Sequence, residues 1–418
     1  MSDRPNLHLV DRQSDKFSEF TSGKNPLHDR NFYIIISLTL IEIMGGATIG
    51  PILPKLSKVF DVSPADIQLV MTAFFLPIGI LTPILGIIAD RIGIKKVLVP
   101  SLLLFGIAGG CCAFARDFQT LIECRFLQGL GSASLNLTSL TLISTIYHGK
   151  ALTLAMSIVV SAIGVSTAIY PIIGGALGGF SWQYPFLLST IAFPLLMLVL
   201  MVLKLPRQPS GSQNIDLRIY LQKVWQSINN PTVLGSLLVI GVMFLIQSGP
   251  FITYIPILAG VNFGVSGLFI GLVLASMSVS LGLVASQLGR LKRHASEMTL
   301  IKIAFTIAAI SLAIVPLIDR AWLLFVPSIL FGAALGLAIP SSQETLAKLA
   351  SDDARAGFMA VNVSVQSMGI GLGPLIAGIF AGLGGLQGVF WATAGLTVAT
   401  VALFHFLLLQ ASRNSAPR

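Results

Sequence analysis

Two charged residues lie deep inside apolar stretches of the sequence, where an ionisable side chain is energetically costly and therefore indicates a function. Glu42 stands near the middle of the stretch 32–53, about 15 Å from its start if the stretch is helical. Arg125 lies inside the stretch 120–145, where a charge costs about 2.5–3.5 kcal/mol unless it faces water or the interior of a helix bundle. An acid at such a depth suits the uptake and release of protons, so we predict that Glu42 is a proton-coupling residue.

Each of these residues also has a purely structural interpretation. Glu42 would then be the hydrogen-bonding partner of a polar neighbour on another helix. Arg125 would extend its side chain to the outer membrane interface, with its stem along the apolar helix.

The composition indicates an integral membrane protein. Only 10% of the 418 residues are charged and 54% are hydrophobic, whereas about a quarter of the residues of an average soluble domain are charged. Twelve apolar stretches of about 20 residues are each long enough to cross a bilayer. They cover residues 32–53, 66–88, 97–115, 120–145, 152–179, 185–203, 233–256, 266–288, 299–318, 322–344, 358–383 and 388–410. We therefore predict an all-α membrane protein with 12 transmembrane helices.

The stretches fall into two pseudo-symmetric six-helix halves, 32–203 and 232–410. Between them lies a polar linker, 204–231, whose second part has the apolar spacing of an amphipathic helix on the inner membrane face. At an offset of 203 residues, Gly86 matches Gly289, Gly129 matches Gly332 and Pro171 matches Pro374. Repeated halves are typical of transporters that bind their substrate between the halves near the membrane midplane. The polar ends, 1–31 and 411–418, are predicted to be tails, the first of them disordered.

Lysine and arginine residues predict the orientation. About twenty of them fall on the side that holds both tails and the linker, whereas four fall on the other side: Lys55, Lys58, Arg116 and Arg320. Both termini are therefore predicted to be cytoplasmic. This asymmetry also explains the net charge of +9 without a nucleic-acid partner.

Metal and disulfide patterns are missing from the sequence. Cys111, Cys112 and Cys124 lie in apolar stretches and are interpreted as small packing residues, and the five histidines are scattered. A membrane enzyme would need several His, Asp or Glu residues at one depth. We predict no cofactor and no enzymatic activity.

Three sequence motifs stand at defined places in the predicted helices. The first, G-x-x-x-D-R-x-G-x-K-K, joins the second and third stretches and contains Gly86, Asp90, Arg91, Gly93, Lys95 and Lys96. The second, R-x-x-Q-G-x-G, contains Arg125, Gln128, Gly129 and Gly131. The third surrounds a proline in each half and contains Tyr170, Pro171, Gly174, Gly175, Gly373 and Pro374.

These motifs resemble those of the major facilitator superfamily, and the third resembles the signature of its drug/proton antiporter branch. The resemblance implies that the first motif is a gating loop and that Arg125 is coupled to proton transfer. It also implies export in exchange for protons. The first half departs from the antiporter signature, because Tyr170 and Ser166 occupy glycine positions.

Candidate substrate-binding residues are polar or large side chains inside the apolar stretches. They are Met71, Phe74, Asn136, Gln247, Tyr254, Gln343, Asn362 and Gln366. The same residues are also suited to bonding or packing between helices, and the sequence leaves both interpretations open.

Together, these features and the resemblance predict a secondary active transporter. It would export a small, largely apolar or amphipathic compound by alternating access, driven by the proton gradient, as a monomer in the cell membrane, the inner membrane of a bacterium. Its partners would be the lipid bilayer, the substrate and protons. The alternatives are export of a specific metabolite, siderophore or lipid, and a membrane sensor without transport.

Overall fold

The computed structural model describes residues 26–203, 231–349 and 355–414, with the side chains of several residues in these ranges left undescribed. Most of the predicted tails and nearly all of the predicted linker 204–231 lie outside the described residues. Within the described ranges all regular structure is helical.

Thirteen longer helices form the described part of the protein. They are α1 (Arg30–Ala47), α2 (Leu69–Ile92), α3 (Ile94–Cys112), α4 (Phe118–Ser132), α5 (Leu135–Ile146), α6 (Gly149–Phe180), α7 (Ala192–Met201), α8 (Pro231–Ile246), α9 (Ile255–Phe263), α10 (Gly267–Leu291), α11 (Glu297–Ile314), α12 (Phe325–Leu349) and α13 (Arg355–Asn414). Short helical turns connect them at Pro26–His28, Gly50–Ile52, Leu53–Val59, Tyr184–Leu187, Leu188–Ile191, Val315–Leu317 and Ala321–Leu324, and a π-helix spans Gln247–Tyr254.

Nine helical spans in the described residues are long and apolar enough to cross a membrane. One of them, Val361–Phe406, has 46 residues, which is more than twice the roughly 20 residues that a crossing needs. It bends at Gly384 and Gly385, where the backbone is not helical. Helix α2 and the pair α4 and α5 add further apolar helical segments. This arrangement is compatible with the twelve predicted crossings.

Polar side chains fix several helix starts. Asp29 accepts a hydrogen bond from the N–H of Asn31 at the start of α1, and Asp117 accepts one from the N–H of Thr120 at the start of α4. The hydrogen bonds from Thr120 lower the pKa of Asp117 below its ordinary value. Between α2 and α3, Gly93 has a φ of 99°, which residues with a Cβ adopt rarely.

Several backbone contacts between the two halves lie at the end of the bundle that the charge asymmetry predicts to be outside, and others join α2 and α13 at Gly79 and Gly371. At the predicted outer end, Gly175 of α6 packs on the backbone of Gly267, and Gly260 of α9 packs on Pro54. One buried apolar cluster also runs across this end, with Ile67 from the first half and Ile255 from the second.

Helices α6 and α10 separate toward the opposite end. Near their middle, the hydroxyl of Ser278 donates to the carbonyl of Thr167 at 3.1 Å. Closer to the other end, a Cβ at Gly164 or Gly282 would have no neighbour within 4 Å. Gly164 lies seven residues before Pro171, on the face that touches α10 through Gly271. The halves are therefore together at the predicted outer end and apart at the predicted inner end along this helix pair.

The predicted orientation is tested by cysteine labelling at the two ends of α11. Asp319 and His294 are both exposed and lie at opposite ends of this helix. In a variant without the three native cysteines, Asp319→Cys should react with a membrane-impermeant maleimide in intact cells. His294→Cys should react only after the membrane is permeabilised. Labelling of His294→Cys in intact cells would overturn the predicted orientation.

Candidate functional site

Arg125 of α4 is completely buried and contacts two other helices through its guanidinium group. Its Nε donates to the carbonyl of Val70 in α2 at 3.2 Å. Its Nη1 donates to the carbonyl of Gly45 in α1 at 3.0 Å and to Oε1 of Gln128 at 2.7 Å. This burial excludes the interpretation in which Arg125 extends to the membrane interface.

Backbone carbonyls and an aromatic face surround the charge of Arg125. Gly45 lies in the last turn of α1, where carbonyls carry partial negative charge and attract cations. The guanidinium carbon lies 4.1 Å from the centroid of the Phe74 ring, which is cation–π distance. Within the described residues both ion pairs involve Lys292, so Arg125 has no carboxylate partner there. Its Nη2 is buried without a hydrogen bond.

The rest of this motif packs α4 against its neighbours. Nε2 of Gln128 donates to the hydroxyl of Ser189 at 2.8 Å. Gly129 lies directly against the carbonyl of Phe74, and a Cβ on Gly131 would lie 2.6 Å from the backbone nitrogen of Phe105. Side chains at these two glycines would push α4 away from α2 and α3.

Glu42 is half-buried and lies one turn before Gly45 on the same side of α1. Its carboxyl group has no hydrogen bond or ion pair with the described side chains and backbone. Glu42 therefore does not form an ion pair with Arg125 in this conformation. The two residues are connected through α1 instead, because Arg125 binds the helix about 4.5 Å along its axis from Glu42.

The predicted gating loop is only partly described. Nζ of Lys95 donates to the carbonyls of Leu200 and Leu203, both at 3.3 Å, so this cation caps the end of α7. Arg91 and Lys96 are exposed. The side-chain surroundings of Gly86 and Asp90 lie outside the described part, and the predicted contact of Asp90 with the eleventh stretch stays a prediction.

The antiporter-like motif of the first half lies at helix crossings. Gly174 packs on the backbone of Thr48 just after α1, and Gly175 packs on α10. Pro171 presents its carbonyl to Gly271 of α10, and Tyr170 is half-buried. Glycine at positions 174 and 175 thus lets α6 approach two helices, one from each half.

In the second half, the corresponding motif lies beside the π-helix. Gly373 of α13, which precedes Pro374, packs against the backbone of Gly249 and the hydroxyl of Ser248. Pro250 lies inside the π-helix and lacks an N–H group, which removes one helical hydrogen bond. We did not predict this π-helix, although Gly249–Pro250 is a local signal for an interrupted helix.

The candidate substrate-binding residues divide by burial. Met71, Phe74, Tyr254 and Asn362 are buried, with Asn362 accepting a hydrogen bond from Gln366 at 3.2 Å. Their burial favours the packing interpretation in this conformation. Gln247, Gln343 and Gln366 are half-buried, and the side chain of Asn136 lies outside the described part.

Removing the Arg125 side chain should destabilise the protein. In Arg125→Ala the buried carbonyl of Gly45 and the amide oxygen of Gln128 lose a donor, at a cost of about 1–3 kcal/mol for each acceptor left unsatisfied. We expect a lower thermal unfolding temperature of the purified protein. Arg116→Ala is the control, because Arg116 is exposed in the preceding loop. An Arg125→Ala protein as stable as Arg116→Ala would show that the Arg125 contacts contribute nothing to stability.

Comparison with known proteins identifies the family of this chain. The multidrug efflux protein YfmO of Bacillus subtilis is 26% identical over 377 residues, which are 88% of this chain and 89% of that protein. The bacillibactin exporter of the same organism is 28% identical over 164 residues, 38% of this chain and 41% of that protein.

The fold is similar to that of a bacterial homologue of the human lysosomal transporter Spinster, solved in an inward-facing, unoccupied conformation. The TM-score is 0.71 at 16% identity, over 93% of this chain and 96% of that one. The family model described as Major Facilitator Superfamily matches residues 35–351 and 262–418. The chain therefore belongs to the major facilitator superfamily of membrane transporters.

Proposed function

We propose that this transporter exports a small, largely apolar or amphipathic compound in exchange for protons. The observation that carries the proposal is the position of Glu42, an acid without a partner among the described residues, one turn from the α1 carbonyl that Arg125 binds. Protonation of Glu42 removes a charge from α1. Binding of a cationic or polar compound would compete with protons for the same carboxylate.

The arrangement of the two halves supports transport by alternating access. Helices α6 and α10 touch at the predicted outer end and diverge at the predicted inner end. The glycine contacts at the outer end would separate when the site opens outward. Each ligand, proton or substrate, would shift the equilibrium toward the conformation that it binds more tightly. The size of the shift is set by the difference between its affinities for the two conformations.

No cofactor is needed for this function, because the proton gradient supplies the free energy and no bond in the substrate is changed. The partners would be the bilayer, protons and the exported compound, and the protein would act as a monomer in the cell membrane. The name of the YfmO relative, a multidrug efflux protein, supports export of several compounds.

The proposal is tested with purified protein in vesicles that carry an imposed pH gradient. Ethidium, a planar cation, and Nile red, a neutral apolar dye, are suitable first substrates. We expect at least one of the two to move against its concentration gradient, and an uncoupler should abolish this movement. No gradient-driven movement of either dye would contradict multidrug export.

A second candidate function is export of one specific compound. It is favoured by the local similarity to the bacillibactin exporter, although this covers only 41% of that protein. Thermal unfolding of the purified protein in the presence of a panel of compounds separates the two functions. Stabilisation by several unrelated apolar compounds supports multidrug export, whereas stabilisation by a single compound supports the specific exporter.

A further inference from the structure

A lysine and a histidine lie together on the outer surface of the bundle, between α11 and α13. Nζ of Lys302 is 3.0 Å from Nδ1 of His405. Lysine has only donors, so at this distance Nδ1 is the acceptor and the imidazole carries its proton on Nε2. The pair therefore offers the remaining ammonium hydrogens and one imidazole N–H as donors.

These donors have no acceptor in the described protein. Neither described ion pair involves Lys302, and its ammonium contacts only His405. Apolar residues close in sequence to the pair are open to the outside: Ile303 is 42% exposed, Leu403 47% and Phe406 55%. Lys302 has no ion-pair partner among the described residues, so an anion from the membrane can pair with it.

The depth of the pair agrees with lipid headgroups. Ser296 accepts the N–H of Thr299 and so fixes the start of α11, with Lys302 about 7.5 Å further along the helix axis. The headgroup region on each side of a bilayer is about 5–8 Å thick. A lysine side chain at this depth can extend to the phosphates while its stem stays in the apolar region.

We propose that Lys302 and His405 bind the phosphate of an anionic glycerophospholipid in the membrane leaflet at this end of the bundle. The ammonium would donate to a phosphate oxygen, while Nδ1 of His405 accepts another of its hydrogens and orients it. The neighbouring apolar side chains Ile303 and Phe406 would contact the acyl chains. Basic clusters between transmembrane helices on the cytoplasmic side are suited to such headgroups.

The test compares the thermal unfolding of purified protein with added phosphatidylglycerol and with added phosphatidylcholine. We expect phosphatidylglycerol to raise the unfolding temperature of the wild type more than phosphatidylcholine does. Lys302→Gln with His405→Gln should remove at least half of this difference. Arg290→Gln is the control, because Arg290 is exposed at the end of α10 and hydrogen-bonds to Gln287; it should keep the difference.

An unchanged preference for phosphatidylglycerol in the double variant would overturn the proposal. The thermal unfolding is also measured with added inorganic phosphate as a third ligand. If it stabilises the wild type as much as the anionic lipid does, through the same two residues, the ligand is free phosphate and the lipid proposal is wrong. If the double variant does not fold, the two single variants carry the test, and each should reduce the preference.

Discussion

Replacing Gly175 by valine should hold the outer ends of the two halves apart and stop transport. Gly175 packs directly on the carbonyl of Gly267, so α6 and α10 have no space for a side chain at this contact. Inserting carbon atoms into a packed contact costs about 1–3 kcal/mol. We expect this contact only in the outward-closed conformation, so the cost should shift the conformational equilibrium roughly 5- to 150-fold toward the outward-open form.

Gly179→Val is the matched control for this prediction. Gly179 lies one turn further along α6, and a Cβ there has no neighbour within 4 Å. The distance between spin labels placed at the outer ends of α6 and α10 measures the outcome. Gly175→Val should populate longer distances and lose dye transport, whereas Gly179→Val should match the wild type. Equal distances and equal transport in both variants would contradict outer closure at Gly175.

The sequence was most informative about helices, because a membrane crossing needs about 20 consecutive apolar residues and few other segments of a sequence satisfy that condition. The stretch 152–179 corresponds to Gly149–Phe180, and 120–145 corresponds to α4 and α5 together. Glycine motifs were informative for another physical reason, because glycine allows two helices to approach closely. At Gly129 and Gly174 the structure has backbone contacts that exclude any side chain.

Contacts between residues far apart in the chain were not predictable. Lys95 was assigned to a gating loop by its motif, yet it also caps α7 at Leu200 and Leu203. Nothing in the sequence around Ser189 indicated a functional role, although its hydroxyl accepts a hydrogen bond from Gln128. Such partners depend on which helices become neighbours, and local periodicity carries no information about that.

The environment of Arg125 shows the same limit. Its burial was expected from the cost of a charge in the membrane. Its partners are two carbonyls, an amide and the Phe74 ring, rather than an acid. Residue types alone do not show which backbone carbonyls will be free to accept hydrogen bonds at the end of a helix. Opposite charge alone would favour an ion pair between Arg125 and Glu42, and this pair does not form in the structure.

The central claim is that Glu42 couples transport to protons, and Glu42→Gln tests it. Glutamine keeps the shape of the protonated acid and cannot release a proton. In sealed vesicles, the variant should lose gradient-driven accumulation of the dye. It should keep the exchange of labelled for unlabelled Nile red, because a neutral dye does not need the carboxylate for binding and alternating access remains possible without proton release.

Glu123→Gln is the control, because Glu123 is exposed near the start of α4 and hydrogen-bonds to Gln119. The most direct measurement is the proton flux itself, recorded with a pH-sensitive dye trapped in vesicles while substrate is added outside. Wild type and Glu123→Gln should both produce a substrate-dependent proton flux, and Glu42→Gln should produce none above that of vesicles without protein. A full proton flux in Glu42→Gln would show that another residue carries the proton.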